Sequence, residues 1–286
     1  MTAEVMRVGF DEHRAHLRAV AYRMLGSYAE ADDAVQEAWL RFDRADTADV
    51  TNLRGWLTTV VAHICLDMLR ASTARREQPL DDLPTRSVAA PGPEEEAELA
   101  DSIGAALLVI LQTLSPAERL AFVLHDMFDL PFAEIASIVG RSENTAAQLA
   151  SRARRRVRGR TRTPTADLAH QRRLVDAFLA AARDGDFDAL LAVLTDDVVL
   201  TVDASAAGEP TVVRGAAEVA ARAQMFAANA RYADSAVVDG AVGVVVAPAG
   251  RLALVIRFAV TDDRICAISI EADPARLRSV DLAVLA

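Results

Sequence analysis

Phe132 to Arg158 reads FAEIASIVGRSENTAAQLASRARRRVR, a pattern of two short helices joined by one tight turn. Pro131 suits the opening turn of the first helix, which presents Ile135, Ala136 and Val139 to a core. Gly140 supplies a permissive backbone for the turn, and Ser142 is a good N-cap for the second helix, worth about 1 kcal/mol. In that helix Ala146, Leu149, Ala150, Ala153 and Val157 fall on one apolar stripe. The opposite face carries Asn144, Thr145, Gln148, Ser151, Arg152 and Arg155, with Arg141 and Ser142 at its head. Amide and guanidinium groups so placed can pair with base edges in the major groove. The pattern predicts a DNA-reading helix-turn-helix; an amphipathic helix pair with a solvated arginine face is the plainer alternative.

The charge distribution supports DNA contact although the net charge is −10. Between Arg141 and Arg162 there are arginines at 141, 152, 154, 155, 156, 158, 160 and 162, opposed only by Glu143. Acid dominates elsewhere, notably at Asp81, Asp82, Glu94, Glu95, Glu96, Glu98 and Asp101. One basic patch on an acidic body suits a protein that touches DNA locally without coating it. No apolar run reaches the roughly eighteen residues needed to span a bilayer, and Met1 to Phe10 lacks a basic-then-apolar signal pattern. A cytoplasmic protein that engages no membrane is expected. Cys65 and Cys266 sit in apolar segments far apart, which predicts buried thiols rather than a disulfide framework or a metal site. No metal and no cofactor is expected.

The 286 residues allow two or three domains. Residues 1–76 have helical apolar spacing, with helices predicted near 8–25, 30–44 and 54–72. From 77 to 94 the periodicity disappears and Pro79, Pro84, Pro91, Gly92 and Pro93 mark a linker. Helical spacing returns over 95–162. From 166 to 286 the pattern predicts helices near 168–184, 186–194 and 216–228. Strands are predicted at Val198–Val202, Ala236–Val246, Leu252–Val260 and Arg264–Glu271. The fold class is therefore multidomain, with two all-α domains followed by an α+β domain.

Ahead of the helix-turn-helix, Asp32, Asp33, Gln36, Glu37 and Leu40 share one side of a predicted helix, opposite Ala31, Ala34, Val35, Ala38 and Phe42. Periodicity alone leaves a solvated face or a docking surface. Asp32-Asp33-Ala34-Val35-Gln36-Glu37 with Trp39-Leu40-Arg41, then Asn52-Leu53-Arg54-Gly55-Trp56-Leu57 and Cys65 to Arg70, resembles region 2 of the sigma-70 family. The likeness is to its small extracytoplasmic-function (ECF) group. Leu114-Ser115-Pro116-Ala117-Glu118-Arg119 through Arg156 resembles region 4 of the same group. The resemblance implies an RNA polymerase sigma factor, non-enzymatic, with core RNA polymerase and promoter DNA as partners and monomeric when free. It assigns Asp32, Asp33, Gln36, Glu37 and Leu40 to polymerase binding. It assigns Asn52, Arg54, Trp56, His63 and Arg70 to recognition and melting of the −10 element. Trp56 stands equally well as core, and His63 occupies a place where relatives commonly have Asn or Arg. The −35 element would be read by Arg141, Ser142, Asn144, Thr145, Gln148, Ser151, Arg152 and Arg155. Ala147 departs from an often basic position, so a base preference does not carry over.

The tail is similar to SnoaL-like domains of the cone-shaped nuclear-transport-factor type, through Arg173 to Leu191, Asp196 to Leu200 and Val213-Arg214-Gly215-Ala216. That resemblance implies a curved sheet around helices with an apolar pocket. Asp203 and Tyr232 are candidate pocket residues, and His170 is the only histidine nearby, but no acid–base constellation appears. A regulatory or structural tail is expected, with a small-molecule ligand an open question. ECF factors with such tails often carry an Asn-Pro-Asp-Lys-Leu-type motif, here matched by Asp273-Pro274-Ala275-Arg276-Leu277. Asp273, Pro274 and Leu277 are thereby candidates for an interdomain regulatory contact with the linker around Pro79 to Pro84. Two other readings remain: a ligand-responsive DNA-binding regulator that does not act as a sigma factor, and a SnoaL-like isomerase or cyclase using Asp203.

Overall fold

The computed structural model describes residues 3–45, 50–76, 104–159, 165–226, 230 and 232–285. These form two compact units, one from the described parts of 1–103 together with 111–154, the other from 104–110 together with 155–286. The first unit opens with three helices, α1 (Ala3–Leu25), α2 (Tyr28–Arg44) and α3 (Leu53–Arg76). Phe10, Leu17 and Met24 of α1, Val35 and Phe42 of α2, and Leu57, Val61 and Leu66 of α3 are buried where the three meet. Ser27 starts α2 by accepting the Glu30 N–H. The linker and its Pro79 to Pro84 motif lie outside the described residues.

Helix α4 (Ala105–Gln112) follows, then α5 (Pro116–Phe122), which begins with a full capping box between Ser115 and Glu118. A π-helical turn, Val123–Met127, continues it. Helices α6 (Phe132–Val139) and α7 (Glu143–Val157) complete the helical part. Within the first unit a buried hydrogen bond from Arg119 Nη1 to the Met24 carbonyl, 2.8 Å, joins α5 to the end of α1.

The second unit is α+β. Helices α8 (Thr165–Asp184) and α9 (Phe187–Val193) lead into β1 (Leu194–Val202). The short α10 (Ala204–Ala207), β2 (Thr211–Arg214) and α11 (Ala216–Met225) come next. Four strands then run β3 (Ala233–Val238), β4 (Ala241–Val246), β5 (Leu254–Thr261) and β6 (Arg264–Glu271). A single-turn α12 (Pro274–Leu277) and β7 (Leu282–Ala283) end the chain. The sheet order is β2-β1-β6-β5-β4-β3-β7, antiparallel throughout except for the parallel β1–β6 pair. Phe178 and Leu179 of α8, Leu190 of α9 and Val219 of α11 pack on Val244, Ile256, Ile265 and Ile268 of the sheet.

The spacing predicts one strand over Ala236–Val246, whereas the structure has two. Asp239 and Gly240 both adopt positive φ (50° and 90°), as a two-residue type I′ hairpin turn requires. Thr211–Arg214 is a strand that the apolar pattern does not announce, because it is a short edge with two exposed residues. No helix among the described residues is long and apolar enough to cross a membrane. Cys65 is buried, which pushes its thiol pKa up, and Cys266 is half-buried.

Candidate nucleic-acid interface

The reading helix is built from backbone geometry upward. Gly140 ends α6 in the left-handed region (φ 69°, ψ 41°), and a Cβ there would meet nothing within 4 Å. Its conformation, rather than crowding, is what calls for glycine. Ser142 Oγ accepts the Thr145 N–H at 3.3 Å and pairs with the Thr145 hydroxyl at 2.9 Å. The stripe Ala146, Leu149, Ala150, Ala153 and Val157 is buried. On the other side Arg141, Ser142, Asn144, Gln148, Ser151, Arg152 and Arg155 are exposed and Thr145 is half-buried.

The arginines are not equivalent. Arg154 turns back to Asp126, Nε to Oδ1 at 2.6 Å, and Arg152 leans on Glu118 at 3.4 Å while staying half-exposed. Arg154 thus ties α7 to the π-helical turn, and the open cation beside Gln148 and Ser151 is Arg155.

On α2, Asp33, Gln36 and Leu40 are exposed, with Leu40 at 45% an apolar side chain left in solvent. Glu37 is half-exposed and paired with Arg41 at 3.0 Å. Asp32 is bound by Arg18 at 3.0 Å, and the same guanidinium lies 5.2 Å over the Tyr28 ring. Of the five residues predicted to share this face, Asp32 is turned inward, so four form the outer surface.

The segment from Asn52 to Arg70 lies along α3. Asn52 Oδ1 accepts the Gly55 N–H at 3.0 Å, which caps the helix and leaves the amide nitrogen as its donor. Trp56 is half-buried at the edge of an aromatic cluster, its ring 6.0 Å from Phe42, which in turn meets Phe10 and Trp39. It is therefore both part of the packing and reachable from solvent. His63 donates Nδ1–H to the Thr59 carbonyl at 2.9 Å, and Arg70 is exposed near Asp67.

One residue that the spacing does not flag completes this face. Half-buried His16 accepts from Arg54 Nη2 at Nδ1 (3.2 Å) and meets the buried Thr58 hydroxyl through Nε2 at 3.0 Å. Thr58 in turn donates to the Arg54 carbonyl at 2.7 Å. With Nδ1 accepting, the ring is neutral and donates from Nε2. Burial, then the positive charge of Arg54, pushes the His16 pKa down to about 4. His16 is thus a positioning residue for Arg54. No local pattern could reveal it, because its partners lie about forty positions away in the chain.

In the second unit, Asp273 caps α12 by accepting the Ala275 and Arg276 N–H groups (2.7 and 3.1 Å). Pro274 is exposed and Leu277 half-buried. Asp203 accepts N–H bonds from Ala206, Ala272 and Asp273 at 2.8–2.9 Å. Desolvation raises its pKa, but the donors at Ala272 and Ala206, with Glu271 and Asp273, outweigh it and hold the carboxyl below its ordinary range. An apolar cavity of about 390 Å³ lies between α8, α11 and strands β1, β5 and β6, and neither Asp203 nor Tyr232 lines it. Both are corrected as pocket candidates: Asp203 is committed to backbone donors on the sheet's edge. His170 pairs with Asp263 at 2.9 Å. Among the described residues no group of three His, Cys, Asp or Glu could hold a metal ion. The same unit grips two helices of the helical part: Asp234 Oδ2 accepts the Ala106 N–H of α4 at 3.3 Å, and the Val284 N–H bonds the Val157 carbonyl at the end of α7, 3.0 Å.

Family models match two stretches, sigma-70 region 2 over residues 10–75 and sigma-70 region 4 over residues 104–157. A probable ECF RNA polymerase sigma factor, SigI of Mycobacterium tuberculosis, is 40% identical over 196 residues, covering 67% of this chain and 68% of the relative. The ECF RNA polymerase sigma factor SigJ of the same species is 42% identical over 211 residues, 72% of this chain and 67% of the relative. The crystal structure of SigJ aligns with 94% of this chain and 98% of its own, at 32% identity and a TM-score of 0.44.

Proposed function

The chain belongs to the ECF RNA polymerase sigma factors of the sigma-70 family, initiation factors rather than enzymes, and from that premise we propose how its own residues divide the work. Asp33, Gln36, Glu37 and Leu40 dock on core RNA polymerase, with Asp32 acting through Arg18 to fix the helix face. An acidic rim around one exposed leucine suits a basic partner surface with an apolar seat.

Arg141, Ser142, Asn144, Thr145, Gln148, Ser151, Arg152 and Arg155 read the −35 element. Gln148 and Asn144 supply base-edge pairing, and Arg155 neutralises phosphate. Asn52, Arg54, Trp56, His63 and Arg70 take up the −10 element, where the exposed edge of Trp56 offers a stacking platform for an unpaired base and the arginines hold the strand. The tail modulates this activity. Its support is the pair of contacts made by Asp234 and Val284 on α4 and α7. A tail contact with the linker through Asp273, Pro274 and Leu277 would act beside them, and a small-molecule ligand would enter the tail cavity.

The observation that carries the reading is the exposed amide and guanidinium face of α7 opposite its buried stripe. Run-off transcription with purified core polymerase on selected genomic promoters tests it. Specific initiation should appear with the protein and disappear with Asp33→Ala/Glu37→Ala and with Gln148→Ala/Arg155→Ala. Asp234→Ala in the full chain should change transcript yield while leaving promoter choice intact. DNA binding without initiation would instead mark a regulator that does not act as a sigma factor.

A further inference from the structure

The cavity of the second unit has a chemistry that the transcription reading does not use. Its walls are almost wholly apolar, with Phe178, Leu200, Ile256 and Ile268 among them. The single charged residue at its lining is Arg222, in the last turn of α11, and no acidic side chain among the described residues pairs with it. Beside it Met225, 76% exposed, is the most solvent-open large apolar side chain of the described residues, and it lines the same cavity. The lining holds no carboxylate and no histidine, so nothing there can act as a general base. What it offers is an apolar body-sized volume, in the range that holds small ligands, and one guanidinium at the side.

We infer that this cavity binds a small amphiphilic monocarboxylate, its apolar body against Phe178, Leu200, Ile256 and Ile268 and its carboxylate on the Arg222 guanidinium. A neutral compound of the same shape would gain the apolar contact and leave the cation unused. A doubly charged one would bring a second charge into walls without a partner for it. Met225 folds over the bound chain and removes its own side chain from water. The inference is independent of which promoter the helical part reads, because binding is measured without DNA or polymerase.

The test is isothermal titration calorimetry of the full chain with octanoate and with 1-octanol at neutral pH. Octanoate should bind at one per chain, about tenfold or more tighter than 1-octanol, as a charge-assisted hydrogen bond predicts. Arg222→Gln should bring octanoate to the affinity of the alcohol. Ala207→Trp, placed from an exposed rim position, should block both, with far-ultraviolet circular dichroism unchanged in each variant. Equal affinity for acid and alcohol, binding to neither, or octanoate affinity unaltered by Arg222→Gln overturns the inference.

Discussion

Helices α2 and α7 each bury one stripe, Ala31, Ala34, Val35, Ala38 and Phe42 in the first and Ala146, Leu149, Ala150, Ala153 and Val157 in the second, yet their outer faces are finished in opposite ways. On α2 two of the acids are met from within the protein, Asp32 by Arg18 and Glu37 by Arg41. What stays open is Asp33, Gln36 and Leu40. On α7 Arg154 is drawn to Asp126 and Arg152 leans on Glu118, which leaves amides, hydroxyls and Arg155 facing outward. The difference teaches that charges counted along a helix are not the charges a partner meets. Internal pairing edits both faces, towards an acidic-apolar surface in one and an amide-cation surface in the other.

The inner and outer sides of α2 should separate most sharply on mutation. Phe42→Ala removes a fully buried ring from the aromatic cluster and should cost about 3–5 kcal/mol in urea unfolding. Leu40→Ala, on the exposed side, should stay within about 0.5 kcal/mol while weakening core polymerase capture. Equal losses would erase the distinction between the faces. On α7 the division is between base reading and charge. Gln148→Ala should remove about 1–3 kcal/mol of discrimination against mismatched sites. Arg155→Ala should weaken all sequences alike and reduce the salt slope by about 0.9. Competition binding at several salt concentrations separates the two.

Smaller effects sharpen the same comparison. Ser142→Ala should cost about 1 kcal/mol through the lost cap. Asp32→Asn should cost at most about 1 kcal/mol, since its ion pair with Arg18 is only partly buried. The smallest effect is in pH. His16 has a folded pKa of about 4, below its ordinary 6.5, so the unfolded chain takes up the proton first. Its contribution is full above pH 6.5 and is lost as pH falls from there towards 4. The urea midpoint should therefore drop less between pH 7 and pH 5 in His16→Gln than in the parent. An identical drop would remove His16 as the titrating group.

Much of the helical part was legible because its signals are local. Gly140, Ser142 and the apolar stripes act within one or two turns of chain, and the helices run where spacing places them. The tail was harder. Ala236–Val246 reads as one β run because apolar content says nothing of where the backbone reverses, and the reversal rests on Asp239 and Gly240. Asp203 looked like a pocket carboxylate from its place after a strand. Its three N–H donors come in part from residues some seventy positions on, which no spacing rule reports.

By itself the sequence determined the two helical signatures, the helix-turn-helix with its polar face, and a tail of different class, since periodicity, caps and a left-handed turn are set by neighbours a few residues apart. Only the tertiary structure decided which charges remain free, that Asp32 and Arg154 turn inward, that His16 stands neutral behind Arg54, and that the tail cavity carries a single guanidinium. Those outcomes depend on groups brought together from distant parts of the chain, where burial and pairing, rather than local spacing, set the energy of each side chain.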